Sequence, residues 1–232
     1  MRVIKQPHID QDIILNKDNF YNVVIENQIN YRQYLQSLKN QLENKDPFLL
    51  LYDNDKEKDL SKEAFLIDNP LSIQIDEKKM NTLIQKEIAA KITEDQKEKF
   101  EILQHQITEY IESISMDYPL PVSFDLDYSL ISLLKSISLQ TASDFPSYLE
   151  YMVNQIKKIS FVLKYNVFFI VNLQDYLSDE EMQSFIKEMN SLEIFFVIVS
   201  SHLPISRISN EFIIQIDKDL AELHIDSKEQ KA

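Results

Sequence analysis

Two stretches decide the fold: Asn166-Val167-Phe168-Phe169-Ile170-Val171-Asn172 and Ile194-Phe195-Phe196-Val197-Ile198-Val199-Ser200. Each is a continuous apolar run, the pattern of a strand buried on both faces. Between them Ser178 precedes Asp179, Glu180 and Glu181, and a helical pattern runs on to Met189. The three acids sit in the first turn, where the helix dipole favours negative charge. Strand, helix, strand predicts a βαβ unit with a right-handed crossover in a parallel sheet. Phe212 to Ile216 predicts a last strand, and positions 217–232 read as a charged, frayed tail.

Upstream of this unit, Asp144 is the expected cap of a helix with Pro146 in its first turn. Phe145, Leu149, Met152, Ile156, Ile159 and Leu163 form its apolar face, and Lys157 and Lys158 fall largely outside it. A shorter helix is expected from Tyr128 to about Leu139, capped by Asp127, after a break at Pro119-Leu120-Pro121. Positions 76–116 carry a long helical pattern with a polar middle, Thr93 to Lys99, where a break can fall. Unbroken, it would span about 60 Å at 1.5 Å per residue, which suggests a coiled-coil-like arm.

Nearer the N-terminus, Val3–Ile4, Ile13–Leu15, Phe48–Tyr52 and Ala64–Ile67 predict short strands. A helix is expected over positions 18–43, with Phe20, Val24, Tyr31, Leu35, Leu38 and Leu42 at helical spacing. The segment from Asp53 to Glu63 reads as a charged turn. The fold class is therefore α/β: a parallel-sheet head built from positions 1–75 and 160–232, with an inserted helical domain at 76–159.

Composition narrows the chemistry. The 232 residues include no glycine, where ordinary usage of about 7% would give roughly sixteen. Glycine alone lets the backbone press against a phosphate without strain. A Walker A loop, a dinucleotide-binding fingerprint and a hydrolase nucleophile elbow are thus excluded. Cysteine is also absent, which removes disulfides, thiolate zinc sites and cysteine nucleophiles. No apolar run approaches the ~18 residues of a membrane span, and the N-terminus does not read as a signal peptide, so a cytoplasmic protein is expected.

The net charge of −14 argues globally against a nucleic-acid partner. The charge is uneven, however. Positions 100–134 hold six acids and no Lys or Arg, whereas 151–170 hold Lys157, Lys158 and Lys164 and no acid. A local field matters more to a partner than the total.

The order of elements resembles that of the accessory protein of type II-A CRISPR adaptation. The resemblance is carried by Phe48-Leu49-Leu50-Leu51-Tyr52-Asp53, a lysine-bearing loop and Phe65-Leu66-Ile67. It is carried again by 166–173, Asp175-Tyr176-Leu177-Ser178-Asp179-Glu180-Glu181 and 194–199. It implies a P-loop-NTPase-like head without a Walker A loop and a helical leg domain. It further implies a ring-shaped homotetramer that binds double-stranded DNA ends through channel lysines, without sequence preference or catalysis. Calcium near the leg hinge would hold the ring, and the partners would be the adaptation integrase and the RNA-guided effector nuclease. No nucleotide is expected, since Asn172 stands where a Walker B strand would offer an acid to magnesium.

By position, the resemblance assigns Lys56, Lys58 and Lys62 to the DNA-facing loop. Lys157, Lys158 and Lys164, with Lys135, are the other DNA-contact candidates, because phosphate contact needs only positive charge within reach. Only three arginines are present, which disfavours bidentate base readout. Glu109, Glu112, Asp117, Asp125 and Asp127 are the calcium candidates, since calcium takes hard oxygen ligands. For each set the plainer alternative is a solvated surface, or for Asp127 a helix cap. His202, beside Ser200 and Ser201 at a strand end, and Asp175 read as loop residues.

Two other classes compete with the ring. A metal-dependent α/β phosphohydrolase could use Asp125, Asp127 and Asp175 without glycine. An acidic coiled-coil protein could present its arm to a basic partner.

Overall fold

The computed structural model describes residues 1–7, 9–17, 19–44, 46–120, 129–137 and 144–226. They form two compact units, one of residues 1–74 with the segment beginning at Asp144, the other running from Ile75 to Ser143.

The first unit opens with β1 (Arg2–Lys5), β2 (Ile13–Leu15), β3 (Phe20–Ile25) and α1 (Gln28–Asn44). It continues with β4 (Leu50–Asp53), β5 (Lys56–Lys58), α2 (Leu60–Glu63) and β6 (Ala64–Ile67). The second unit contains α3 (Glu77–Ala90), α4 (Glu94–Met116) and α5 (Leu130–Ser136). The first then resumes with α6 (Tyr148–Leu163), β7 (Val167–Val171), α7 (Asp179–Ser191), β8 (Phe195–Ser200), β9 (Glu211–Ile216) and β10 (Glu222–Asp226).

The main sheet has the order β10-β9-β3-β8-β7-β6. All its pairings are parallel except the antiparallel edge pair β9–β10. The unit read from the sequence is present, because β7 and β8 lie side by side in parallel, with Val167 opposite Phe195. Both strands are almost wholly buried, as their continuous apolar runs require. Ser178 caps α7, accepting from the Glu181 N–H while the Glu181 carboxylate accepts from the Ser178 N–H. A smaller antiparallel sheet, β2-β1-β4-β5, and α1 cover one face of the main sheet. Ile4, Ile13, Leu38, Leu51, Phe169 and Val197 meet in that core.

Several expectations are corrected. The helix expected over 18–43 starts only at Gln28, because Phe20–Ile25 is a strand with all six residues buried. Its aromatic and β-branched side chains fit a sheet buried on both faces, and helical spacing at Phe20 and Val24 was coincidental. The segment at 48–52 pairs into the small antiparallel sheet, and the charged turn after it holds β5 and α2. The pattern at 76–116 is broken between Ala90 and Glu94, where Thr93 and Gln96 form a capping box.

Ser129 caps α5 and Ser147 caps α6, so Asp144 and Pro146 precede that helix. The Ser147 hydroxyl, three residues nearer the first turn than Asp144, accepts the Glu150 N–H instead. The proposed cap Asp127 and the strand at 122–126 lie outside the described residues. The tail expected to fray contains β10, which pairs with β9 along five residues. The boundary expected at 159/160 falls at 143/144, because α6 buries Met152, Val153, Ile156 and Ile159 within the sheet-bearing unit.

Candidate nucleic-acid interface

Lys56 and Lys58 sit on the exposed edge strand β5, with Lys58 opposite Leu51 and Lys56 opposite Asp53. Strand side chains alternate between faces, so the two lysines share one face and Glu57 takes the other. The strand thus turns Glu57 away from the two lysines, while Asp53 shares the face of Lys56. Lys62 is exposed at the end of α2, 3.5 Å from the Asp59 carboxylate. Asp59 caps that helix, and its hydrogen bond from the Ser61 hydroxyl, with other contacts, holds the carboxyl below its ordinary range.

On α6 the lysine segment is less isolated than its sequence suggests. Lys157 Nζ lies 3.3 Å from Glu188 Oε2, an acid brought in by α7. Both side chains are well exposed, and such pairs contribute little to stability, about 0–1 kcal/mol. Lys158 is half-buried. Lys164 closes the helix in the left-handed conformation (φ 65°), with its N–H donating to the Ser160 carbonyl. Its ammonium donates to the Phe161 carbonyl at 2.6 Å and stands 4.8 Å from the Phe161 ring centre. Lys135 is exposed in the last turn of α5, in the other unit.

Among the acids, Glu109 and Glu112 are exposed on α4, one turn apart. Glu109 Oε1 lies 3.3 Å from His105 Nδ1. Asp117 is the C-cap of α4. Asp125 and Asp127 lie outside the described residues. Among the described residues no group of three or more His, Asp or Glu is placed to hold a metal ion. Glu109, Glu112 and Asp117 therefore do not form a metal-holding group by themselves.

The carboxyl ends of β7 and β8, where open α/β sheets take ligands, are closed by their own hydrogen bonds. Asn172, left-handed at φ 48°, accepts at Oδ1 from the Tyr31 hydroxyl and the Ser201 N–H, each at 3.3 Å. His202 Nε2 lies 3.0 Å from Asp175 Oδ1, and its Nδ1 is 3.2 Å from Ser201 Oγ. No helix N-terminus with a glycine cradle faces this crevice, since the chain has no glycine.

A buried polar group was not foreseen. Glu211, 1% exposed, opens β9. Its Oε1 accepts from Asn22 Nδ2 at 3.2 Å and Gln174 Nε2 at 2.6 Å, and its Oε2 from the Ile208 N–H at 3.5 Å. Burial pushes its carboxyl above the ordinary range, opposed by these hydrogen bonds and by the Arg207 charge. The folded state therefore holds the Glu211 proton to a higher pH than the unfolded chain does. The resulting stability is complete below the unfolded carboxylate range and is lost as pH rises through the raised folded value. Glu211→Gln is expected to lose less stability than the parent between pH 4 and pH 7.5, read from urea midpoints at the two pH values. Parallel pH slopes for both proteins would contradict this.

Comparison with known proteins adds a family. A family described as "CRISPR-associated protein (Cas_Csn2)" matches residues 41–220. No curated protein matches the chain. Among solved structures, it is similar to the ADP conformation of MJ1267, an ATP-binding cassette of an ABC transporter. That likeness has 11% identity and a TM-score of 0.47, over 98% of this chain and 93% of that one. It is also similar to a protein described as an ABC-transporter ATP-binding protein from Pyrococcus furiosus. There the identity is 13% and the TM-score 0.39, over 91% of this chain and 96% of that one.

Proposed function

The chain belongs to the Cas_Csn2 family of CRISPR-associated proteins, and from that premise we propose that it binds double-stranded DNA ends, without sequence preference, during the acquisition of new spacers. In this reading it acts as a ring-shaped homotetramer and catalyses no reaction of its own. The adaptation integrase and the RNA-guided effector nuclease are its protein partners. The observation that carries the proposal is the pair Lys56 and Lys58, exposed on one face of an edge strand with Glu57 turned away. Lys62, Lys135, Lys157, Lys158 and Lys164 are the further phosphate contacts.

The chemistry is electrostatic. Each lysine that neutralises a phosphate releases a condensed counterion, so affinity falls steeply with salt, by about 0.9 in the logarithmic slope per contact. The scarcity of arginine favours backbone contact over base readout. The polar closure around Asn172 supports a sheet that no longer takes a nucleotide.

Calcium is proposed to bind the acids at the end of α4, namely Glu109, Glu112 and Asp117, with Asp125 and Asp127 completing the oxygen shell. Bound there, it would supply a fixed positive centre that ties carboxylates together. The test is a titration of linear duplex across a salt series, with and without a calcium chelator. Binding that weakens steeply with salt, and a mass that drops on chelation, is the expected result. Salt-independent binding, or none, would overturn the DNA reading, and an unchanged mass would overturn the calcium part alone.

A further inference from the structure

A cavity of about 420 Å³ lies in the first unit, between α1 and the loop after β1. We propose that it is a binding site for an uncharged small molecule about the size of a two- to three-ring aromatic, with one hydrogen-bonding edge. Its floor is formed by Ile25 and Ile216, the last residues of β3 and β9, which are register partners in the main sheet. The cavity therefore opens at the carboxyl end of adjacent parallel strands, the place where open α/β sheets take ligands. Its volume falls within the roughly 300–1,000 Å³ of small-molecule sites.

Its two walls differ in chemistry. Pro7, Ile9, Phe48 and Leu220 make one apolar wall. Asn30, Gln33 and Ser37 line the other, at helical spacings of three and seven that put them on one face of α1. Among the described residues no intramolecular hydrogen bond engages these three side chains, so their amides and hydroxyl can turn to a ligand. Tyr34, from the same face, is differently placed. Its hydroxyl donates to Gln6 Oε1, and its ring meets Phe48 edge-on at 5.1 Å. This contact fixes the aromatic part of the cavity.

Charge selects the ligand class. The protein carries a net −14, yet among the described residues the cavity lining holds no ionisable acid or base apart from the engaged phenol of Tyr34. A charged ligand would lose its hydration with no counter-charge to replace it. A second cavity, beside β6, is lined by Lys39, Glu43 and Asp68 among others and lacks this property.

The test uses two dyes that share a ring system. N-phenyl-1-naphthylamine is neutral and carries one N–H donor. 8-Anilinonaphthalene-1-sulfonate adds a fixed negative charge. The neutral dye is expected to bind the intact protein at one saturable site, at least about tenfold more tightly than the sulfonate. Ser37→Trp fills the cavity and should abolish that binding with the melting temperature and duplex affinity unchanged. Gln33→Trp, at the exposed rim, serves as the second variant should Ser37→Trp fail to fold. Equal affinity for both dyes, or undiminished dye binding in a folded filling variant, would overturn the proposal. DNA binding is read separately, so its failure and the failure of this site are distinguishable.

Discussion

Replacing Lys157 and Lys158 together by Glu is expected to weaken binding to linear duplex by about ten- to a hundredfold near physiological salt. The mass of the oligomer should not change. Two phosphate contacts are lost and two repulsions take their place, so the salt dependence also becomes shallower, by about 0.9 in slope for each contact removed. The Lys157–Glu188 pair does not stand in the way, because an exposed ion pair is weak and the ammonium can turn to a phosphate at little cost. Neither side chain belongs to the apolar face of α6, which buries Met152, Val153, Ile156 and Ile159. Unchanged affinity here, together with a loss in Lys56→Glu with Lys58→Glu, would confine the contact to β5. Titration of a labelled linear duplex at three salt concentrations measures both quantities.

The largest effect on stability is expected at Phe169. Its side chain is fully buried in β7 and belongs to the core between the main sheet, α1 and the small sheet. Phe169→Ala removes most of that packing and leaves a cavity, at a cost of about 3–5 kcal/mol. Domains of this kind are stable by about 5–15 kcal/mol, so the variant should unfold at a far lower urea concentration. Phe161→Ala is the control, since that ring is 60% exposed. Its effect should stay within about 1 kcal/mol, since the contact it loses with the Lys164 ammonium is an exposed one. Equal urea midpoints for the two variants would contradict the assignment of the core.

The parts of the fold legible in the sequence were those with a local cause. The runs at 167–171 and 195–200 could only be strands buried on both faces, and Ser178 with its three acids could only start a helix. What failed depended on distant partners. Phe20–Ile25 is a strand because β8 and β9 flank it, and those lie about 175–190 residues later in the chain. β10 is ordered by its pairing with β9, and a charged composition gives no sign of that.

The candidate interface divides in the same way. The lysines were visible as residues, but sequence order misjudged their surroundings. Glu57 is adjacent to Lys56 and Lys58 and yet turned away, whereas Glu188 is distant from Lys157 in sequence and yet beside it. The Glu211 cluster joins three elements through Asn22 and Gln174 and had no signal at all, since a lone Glu opening an apolar strand looks exposed. The cavity wall of Asn30, Gln33 and Ser37 could have been found as a polar stripe on α1, had that helix been started at its true position.

The most direct test of DNA-end binding is one experiment on two DNAs of the same sequence, one linear and one covalently closed, with the protein's mass measured by light scattering in the same calcium buffer. The expected result is a mass near four times the 27.4 kDa chain, with binding to the linear form and little to the closed circle. A monomer or dimer, or equal binding to both forms, would contradict it.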